Sequence, residues 1–182
     1  MSNNSIIKFA SVRSDENIPP SRANKYDAGI DFYVPKFDEQ FLVDLKEKNN
    51  GPEFIRNSVL VFNKEKNFII LPPHHRILIP CGFKCLMQTP DRALIASNKG
   101  GISTKKGLVY SAQVVDYEYQ GEIHIGLINT GTDNIFIYED EKIIQFIETP
   151  IYTSDIEIVN EKDLYSEKTT RGDGAFGSTN KK

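Results

Sequence analysis

The sequence predicts an all-β fold, a jelly-roll-like barrel or sandwich, with one short helix inserted near residues 38–49. The strand-like segments are short and rich in isoleucine and aromatic residues, and proline, glycine, asparagine and aspartate separate them. Alternation is clearest where Ile123, Ile125 and Leu127 share one face, which indicates a strand with one buried side. Many short strands separated by turn signals are typical of barrels and sandwiches.

Seven segments fit the strand pattern. In chain order they are Ile6–Phe9, Phe68–Leu71, Arg76–Ile79, Ala93–Ala96, Ile123–Ile128, Asn134–Tyr138 and Ile143–Ile147. Two cysteines, Cys81 and Cys85, lie in another apolar run. If that run is extended, their Cα atoms are about 13 Å apart, too far for a disulfide. No second Cys/His pair completes a zinc site, so we expect buried free thiols.

The helix is predicted over residues 38–48. Its apolar face consists of Phe37, Phe41, Leu42 and Leu45. Asp38 has the short acidic side chain that favours an N-cap, and the sequence Asn-Gly-Pro at residues 50–52 provides a stop.

Length and composition limit the protein class. The chain has 182 residues, which suits one domain with a substantial core, and 39% of them are hydrophobic. A net charge of −3 gives no reason to expect a nucleic-acid or membrane surface. The first residues lack a signal-peptide pattern, and no apolar stretch reaches transmembrane length. We therefore expect a cytoplasmic enzyme or binding domain.

Five blocks carry polar, glycine-rich or acidic patterns that suggest chemistry. They are Asp27–Asp31, Ser97–Leu108, Val114–Asn129, Lys142–Ile147 and Arg171–Thr179. In this order and spacing they resemble the five motifs of the trimeric dUTP pyrophosphatases (dUTPases), from about Ile7 to Thr179.

The resemblance implies a distorted β-barrel of the dUTPase type over residues 1–165, followed by a flexible arm over 166–182 that closes over bound nucleotide. Residues 36 to about 67 look like an insertion into this pattern. We interpret the insertion as a surface embellishment, with docking of a protein partner as the alternative. The resemblance also implies a homotrimer whose active sites are shared between subunits.

The activity implied by the resemblance is hydrolysis of dUTP to dUMP and pyrophosphate, which controls dUTP and supplies dUMP for thymidylate synthesis. Asp116 matches the residue that holds a water in line with the α-phosphorus, and we place it at the tip of a β-hairpin. A carboxylate there can aim a water and accept its proton. Neighbouring Glu118 is interpreted as structural. Tyr119 resembles the tyrosine that packs beneath the deoxyribose and excludes a 2′-hydroxyl.

Uracil recognition is expected from the backbone of the strand before Asp116. The matching residues are Tyr110, Gln113, Val114 and Val115, with Gln113 standing where glycine is usual. Phosphate contacts are expected from Lys99, Gly100, Gly101 and Gln145. Gly100 replaces the usual serine, although its backbone N–H can still face an anion.

The tail completes the expected substrate site. Arg171 offers a planar fork to the γ-phosphate, and Phe176 is expected to lie over the uracil ring. Gly177, Ser178 and Thr179 add close backbone approach and hydroxyls. The triphosphate implies Mg²⁺, with Asp31 as an outer-shell ligand through water. The alternative for Asp31 is a structural aspartate paired with a basic residue.

Two other functions stay open. A dCTP-deaminase-like enzyme would carry a glutamate at the position of Gly126, which this sequence lacks. A nucleotide-binding regulator that acts on a partner through the insertion is the second.

Overall fold

The computed structural model describes residues 6–49, 60–61 and 68–174. The chain divides into two compact units, residues 1–152 and 153–182. The strands are β1 (Lys8–Ser11), β2 (Gly29–Tyr33), β3 (Leu60–Val61), β4 (Phe68–Leu71), β5 (Arg76–Pro80), β6 (Phe83–Leu86), β7 (Arg92–Ser97), β8 (Leu108–Tyr110), β9 (Val114–Val115), β10 (His124–Asn129), β11 (Ile135–Tyr138) and β12 (Lys142–Pro150). The helices are α1 (Glu39–Lys48), α2 (Gly100–Lys106) and α3 (Glu161–Leu164).

Antiparallel pairing joins the strands into four sheets. Their orders are β2-β12-β7-β9, β5-β10-β8, β11-β4-β3 and β1-β6. The predicted all-β class is confirmed, although the strands that the structure describes do not join into one closed barrel. No helix among the described residues is long and apolar enough to cross a membrane.

The core lies between the inner faces of these sheets. Ile123 and Ile125 are fully buried and Leu127 is 1% exposed, which confirms the buried face predicted from their alternation. Phe32 packs against Phe9 and Phe146 with edge-on and tilted rings. Such contacts stabilise the fold mainly by removing apolar surface from water.

Helix α1 begins as predicted. The Asp38 carboxylate accepts a hydrogen bond from the Phe41 N–H at 2.7 Å, as an N-cap should. Phe41 is fully buried, Leu45 is 4% exposed, and Phe37 stacks on Phe41 with 5.1 Å between ring centroids. The helix is therefore more than a surface embellishment, because its apolar face is part of the main core. The predicted stop at residues 50–52 lies outside the described residues.

The predicted β-hairpin with Asp116 at its tip is wrong. Strand β9 pairs with β7, whereas β10 pairs with β5 and β8. Residues 116–123 therefore connect two different sheets rather than two paired neighbours. Local pattern could not show this, since a strand of two residues takes its partner from elsewhere in the chain.

The cysteine run is interrupted rather than continuous. Gly82, with φ +83°, turns the chain between β5 and β6. Cys81 is buried and Cys85 is half-buried, and both are free. Burial raises the pKa of both thiols.

The second unit, residues 153–182, contains α3 and no strand among its described residues. Ile156 and Ile158 are 89% and 90% exposed.

Candidate active site

Four of the five sequence blocks place residues on the four-stranded sheet, and three of them meet in one row across it. Gln145 on β12 lies opposite Asp31 on β2 and opposite Ser97 on β7. Cross-strand partners in an antiparallel sheet lie about 5 Å apart, so these positions form one row across three strands. The row ends where β7 leads into residues 98–102, here called the glycine loop.

Asp31 is held by two lysines at this end of the sheet. It is 5% exposed, its Oδ1 accepts from Lys99 Nζ, and its Oδ2 lies 3.1 Å from Lys142 Nζ. Burial alone would raise the pKa of Asp31, but the hydrogen bonds from both lysines outweigh it and hold the pKa below its usual value. The hydrogen bond to Asp31 likewise raises the pKa of Lys142. The structural alternative for Asp31 is thus the one seen, and its role toward a metal stays a prediction.

Gln145 on β12 is hydrogen-bonded to the glycine loop. Its Nε2 donates to the Asn98 carbonyl at 2.9 Å, and the Asn98 side chain accepts from the Tyr110 N–H at 2.9 Å. A Cβ on Gly29 would lie 2.8 Å from Gln145 Cδ, so any larger residue there would require the Gln145 side chain to move. Gln145 therefore holds Asn98, and Asn98 joins the loop to Tyr110; the phosphate contact expected of Gln145 stays a prediction.

A short helix that the sequence did not predict begins within the glycine loop. Helix α2 starts at Gly100, so the N–H groups of Gly100 and Gly101 belong to a first turn that cannot use them internally. Thr104 and Ser103 donate their hydroxyls to loop carbonyls. The signals that predict this helix are its basic last turn and Gly107, which takes the left-handed C-cap conformation at φ +71°.

The strand before Asp116 lies at the edge of the same sheet. The Ala96 N–H donates to the Gln113 carbonyl at 2.7 Å, while the Gln113 side chain is exposed. Val115 is 8% exposed and points into the core, whereas Val114 is 57% exposed. Because β9 has no second partner among the described strands, alternate backbone groups of this stretch face away from β7 and are available to a ligand.

The turn after β9 presents a carboxylate and an aromatic ring. The Asp116 side chain is exposed, and its carbonyl accepts from the Tyr119 N–H at 3.1 Å. The Tyr119 ring lies against Gly121, where a Cβ would come within 2.5 Å of Tyr119 Cζ. The Tyr119 hydroxyl donates to the Glu122 carbonyl at 2.7 Å, and burial raises its pKa, which keeps the proton in place.

Asp116 and the glycine loop lie at opposite ends of the β7–β9 pair. Val115 faces Leu94 and Val114 faces Ile95, so Asp116 comes beside Ala93, four residues before Ser97. Four residues of strand span about 13 Å. Within a single chain the first, second and fourth blocks therefore meet at one end of the sheet, whereas Asp116 of the third block lies at the other end.

The tail residues are only partly described. Arg171 is exposed, and its Nε donates to the Gly174 carbonyl at 3.1 Å. Phe176, Gly177, Ser178 and Thr179 lie outside the described residues.

The side chains that could bind a metal ion are few in the part of the chain that the structure describes. Among the described residues no group of three or more His, Cys, Asp or Glu side chains could hold a cation. Mg²⁺ prefers phosphate oxygens and water, and Asp31 is the buried carboxylate among the described residues, with Lys99 and Lys142 on its two oxygens.

Sequence reasoning missed two site residues. Lys142 pairs with Asp31, and Asn98 links Gln145 to Tyr110. Lys142 is the first residue of β12 and lies opposite Tyr33 on β2. A lysine directly before the apolar run of residues 143–147 is the sequence signal that identifies it. Asn98 carries no signal in the sequence, because its role depends on long-range pairing.

Comparisons with known proteins identify the family and the fold. The family model described as dUTPase matches residues 63–180. The deoxyuridine 5′-triphosphate nucleotidohydrolase of Yarrowia lipolytica is 33% identical over 109 residues, 60% of this chain and 68% of that protein.

Two solved structures share the fold. The Staphylococcus bacteriophage 80alpha dUTPase, solved with dUpNHpp, has a TM-score of 0.64 at 17% identity and covers 95% of this chain and 97% of its own. A mutant dUTPase from phage phi11 of S. aureus, described with a structural Mg(II) ion, has a TM-score of 0.61 at 17% identity and covers 86% and 97%.

Proposed function

This chain belongs to the dUTPase family, and from that premise we propose that it hydrolyses dUTP to dUMP and pyrophosphate. The observation that carries the proposal is the family match over residues 63–180, which spans the glycine loop, the Asp116 turn, Gln145 and the tail. The consequence for the cell is a lower dUTP level and a supply of dUMP for thymidylate synthesis.

Asp116 is the proposed catalytic residue. Its exposed carboxylate, at the end of an edge strand, is free to accept a hydrogen bond from a water beside the α-phosphorus. Accepting that bond aims the water and takes up its proton as the oxygen attacks. The free edge of β9, at Gln113, Val114 and Val115, supplies backbone groups for the uracil edge.

The proposed phosphate contacts come from the start of α2. The N–H groups of Gly100 and Gly101 face outward from a first helical turn, and Lys99 lies beside them. Lys99 is bonded to Asp31, so its charge is fixed at the loop rather than tied to one phosphate oxygen. Bound Mg²⁺ would neutralise phosphate charge, and Asp31 is the residue proposed to hold a metal-bound water.

We also propose that the protein is a homotrimer with shared active sites. The support is geometric: Asp116 is about 13 Å along the sheet from Ser97, which is long for two groups that must both reach one nucleotide. A neighbouring subunit that brings its own glycine loop beside Asp116 removes this distance. The exposed Ile156 and Ile158 fit a segment that lies on another chain.

The tail is proposed to act as a lid, with Arg171 and Phe176 to Thr179 closing on the bound nucleotide.

A cytoplasmic location and a protein partner at residues 36–67 remain predictions from the sequence. A regulator that binds nucleotide without hydrolysis is the second candidate function. It is favoured by Gly100 in the glycine loop, which stands where the family usually has a serine.

Pyrophosphate release separates these functions. The purified protein is assayed with dUTP, dCTP or UTP, with Mg²⁺ and with a chelator, and dUTP is expected to be the preferred substrate. Asp116→Asn should retain binding and lose about 10²–10⁴-fold in turnover. Glu118→Gln, an exposed acid in the same turn, is the matched control and should stay near the parent rate. Full turnover in Asp116→Asn would reject the catalytic assignment, and tight binding without hydrolysis in the parent would favour the regulator.

A further inference from the structure

The end of the inserted helix is joined to a sheet by a side chain that makes two hydrogen bonds to the backbone of one strand residue. Asn49, at the C-cap of α1, accepts from the Leu78 N–H at 2.8 Å and donates to the Leu78 carbonyl at 2.9 Å. Leu78 lies on β5, opposite Gly126 of β10. Together with buried Phe41 and Leu45, these bonds fix α1 firmly against the sheet that follows the Asp116 turn.

A buried arginine connects the same helix to Glu122, near the end of the segment that links β9 to β10. The Arg13 side chain is 7% exposed and meets two carboxylates. Its Nη2 lies 2.6 Å from Asp44 Oδ2 on α1, and its Nε and Nη2 donate to the two oxygens of Glu122 at 2.7 and 2.8 Å. This is a bidentate arginine–carboxylate pair, which fixes orientation as well as distance.

Glu122 in turn holds Tyr119. One Glu122 oxygen also accepts from the Gly82 N–H at 2.7 Å, so the side chain is held on two sides. The Glu122 carbonyl accepts from the Tyr119 hydroxyl at 2.7 Å, and the Tyr119 ring rests on Gly121. Whatever fixes Glu122 therefore fixes the position of the ring.

We propose that Arg13 is a positioning residue for nucleoside binding, and that the inserted helix α1, through Asp44, sets the position of Tyr119 by way of Arg13 and Glu122. The proposal rests on the proposed function in one respect, that Tyr119 contacts the sugar of the substrate. Helix α1 of the insertion then supports the nucleoside site, while its apolar face packs in the core. Asp116 is less affected, because it follows β9, which is held by β7 and not by Arg13.

The charges decide which variants are informative. Arg13 lies between two carboxylates, so its removal leaves Asp44 and Glu122 close together without a cation. Arg13→Lys keeps the charge but lacks the planar fork that holds both Glu122 oxygens. Asp44→Asn keeps the shape and leaves the Arg13–Glu122 pair intact, so its effect should be smaller and in the same direction.

The kinetic test compares Arg13→Lys and Asp44→Asn with Lys36→Gln. Lys36 pairs with Asp140 near the start of the insertion and makes no described contact with the turn, so Lys36→Gln controls for general loss of an ion pair. For Arg13→Lys we expect KM for dUTP to rise about tenfold, kcat to change by less than about threefold, and the preference for dUTP over UTP to fall about tenfold, as for one weakened hydrogen-bonding contact. Asp44→Asn should show the same split at about threefold.

A second measurement does not depend on hydrolysis. Hydrogen exchange of the amides of residues 117–122 should accelerate about tenfold in Arg13→Lys and stay unchanged in Lys36→Gln, because the turn loses its anchor. Unchanged exchange in Arg13→Lys would overturn the proposal. Faster exchange with an unaltered dUTP/UTP preference would overturn the role of Tyr119 in sugar selection, while absence of any dUTP hydrolysis in the parent would bear on the proposed function alone.

Discussion

Replacing Asp31 by asparagine removes one charge from a buried cluster and changes almost nothing in shape. Breaking a fully buried ion pair costs about 3–5 kcal/mol, since the remaining charge has no partner. Lys99 keeps 24% of its side-chain surface in water, so its ammonium can regain part of its hydration. Lys142, the second partner of Asp31, is 39% exposed and regains more. For the substitution we therefore expect a loss of about 1–2 kcal/mol in the free energy of unfolding.

The measurement is urea unfolding of both proteins at one fixed protein concentration, because assembly of subunits would add a concentration term. The control is Lys106→Gln, which breaks the Lys106–Glu141 pair, where the lysine is 44% exposed, and should cost less than about 0.5 kcal/mol.

The effect of Asp31→Asn on stability should depend on pH in a defined direction. The pKa of Asp31 in the folded protein is below its ordinary value of 3.8, so the folded carboxylate holds its charge more strongly than the unfolded one. Its contribution is fully present above the unfolded pKa and is lost as the pH falls through the lower, folded pKa. The stability gap between parent and Asp31→Asn should be constant from pH 8 to about 5 and should close on further acidification. A gap no larger than that of Lys106→Gln, or one that persists in acid, would refute the reasoning.

Three further predictions concern the loop, the tail and assembly. Gly29→Ala should displace Gln145 and destabilise the protein by about 1–3 kcal/mol in a urea titration, whereas Gly100→Ala, with open space around its Cβ, should not; equal stability of the two variants would contradict this. Removal of residues 167–182 should leave a folded protein, by circular dichroism and melting, with little dUTP hydrolysis; full activity would reject the lid. Mixing Asp116→Asn subunits with tail-truncated subunits after dissociation should restore measurable activity, and mass-verified mixed trimers without activity would mean that each site is built within one chain.

Local patterns were enough for much of the fold. The N-cap Asp38 and the spacing of Phe37, Phe41 and Leu45 define α1, and the predicted segment Phe68–Leu71 coincides with β4. Helix α2 was not predicted because the two glycines at its start have poor helix propensity, which the tertiary context overrides.

What depends on long-range pairing could not be predicted. The two-residue strand Val114–Val115 looks like one arm of a hairpin, but β7 is its partner. The sequence indicates Asp31, Lys99 and Gln145 individually, yet the contacts Lys99–Asp31 and Gln145–Asn98 follow from a strand register that no local pattern encodes.

The burial of the two native thiols has a practical consequence. A thiol reacts with maleimides as the thiolate, and burial disfavours that form at both Cys81 and Cys85. A cysteine introduced at exposed Ser166 would react first, so a single dye can be placed on the arm without removing the native cysteines. Fluorescence anisotropy of that dye, with and without a non-hydrolysable dUTP analogue, would then test whether the proposed arm is immobilised by bound nucleotide.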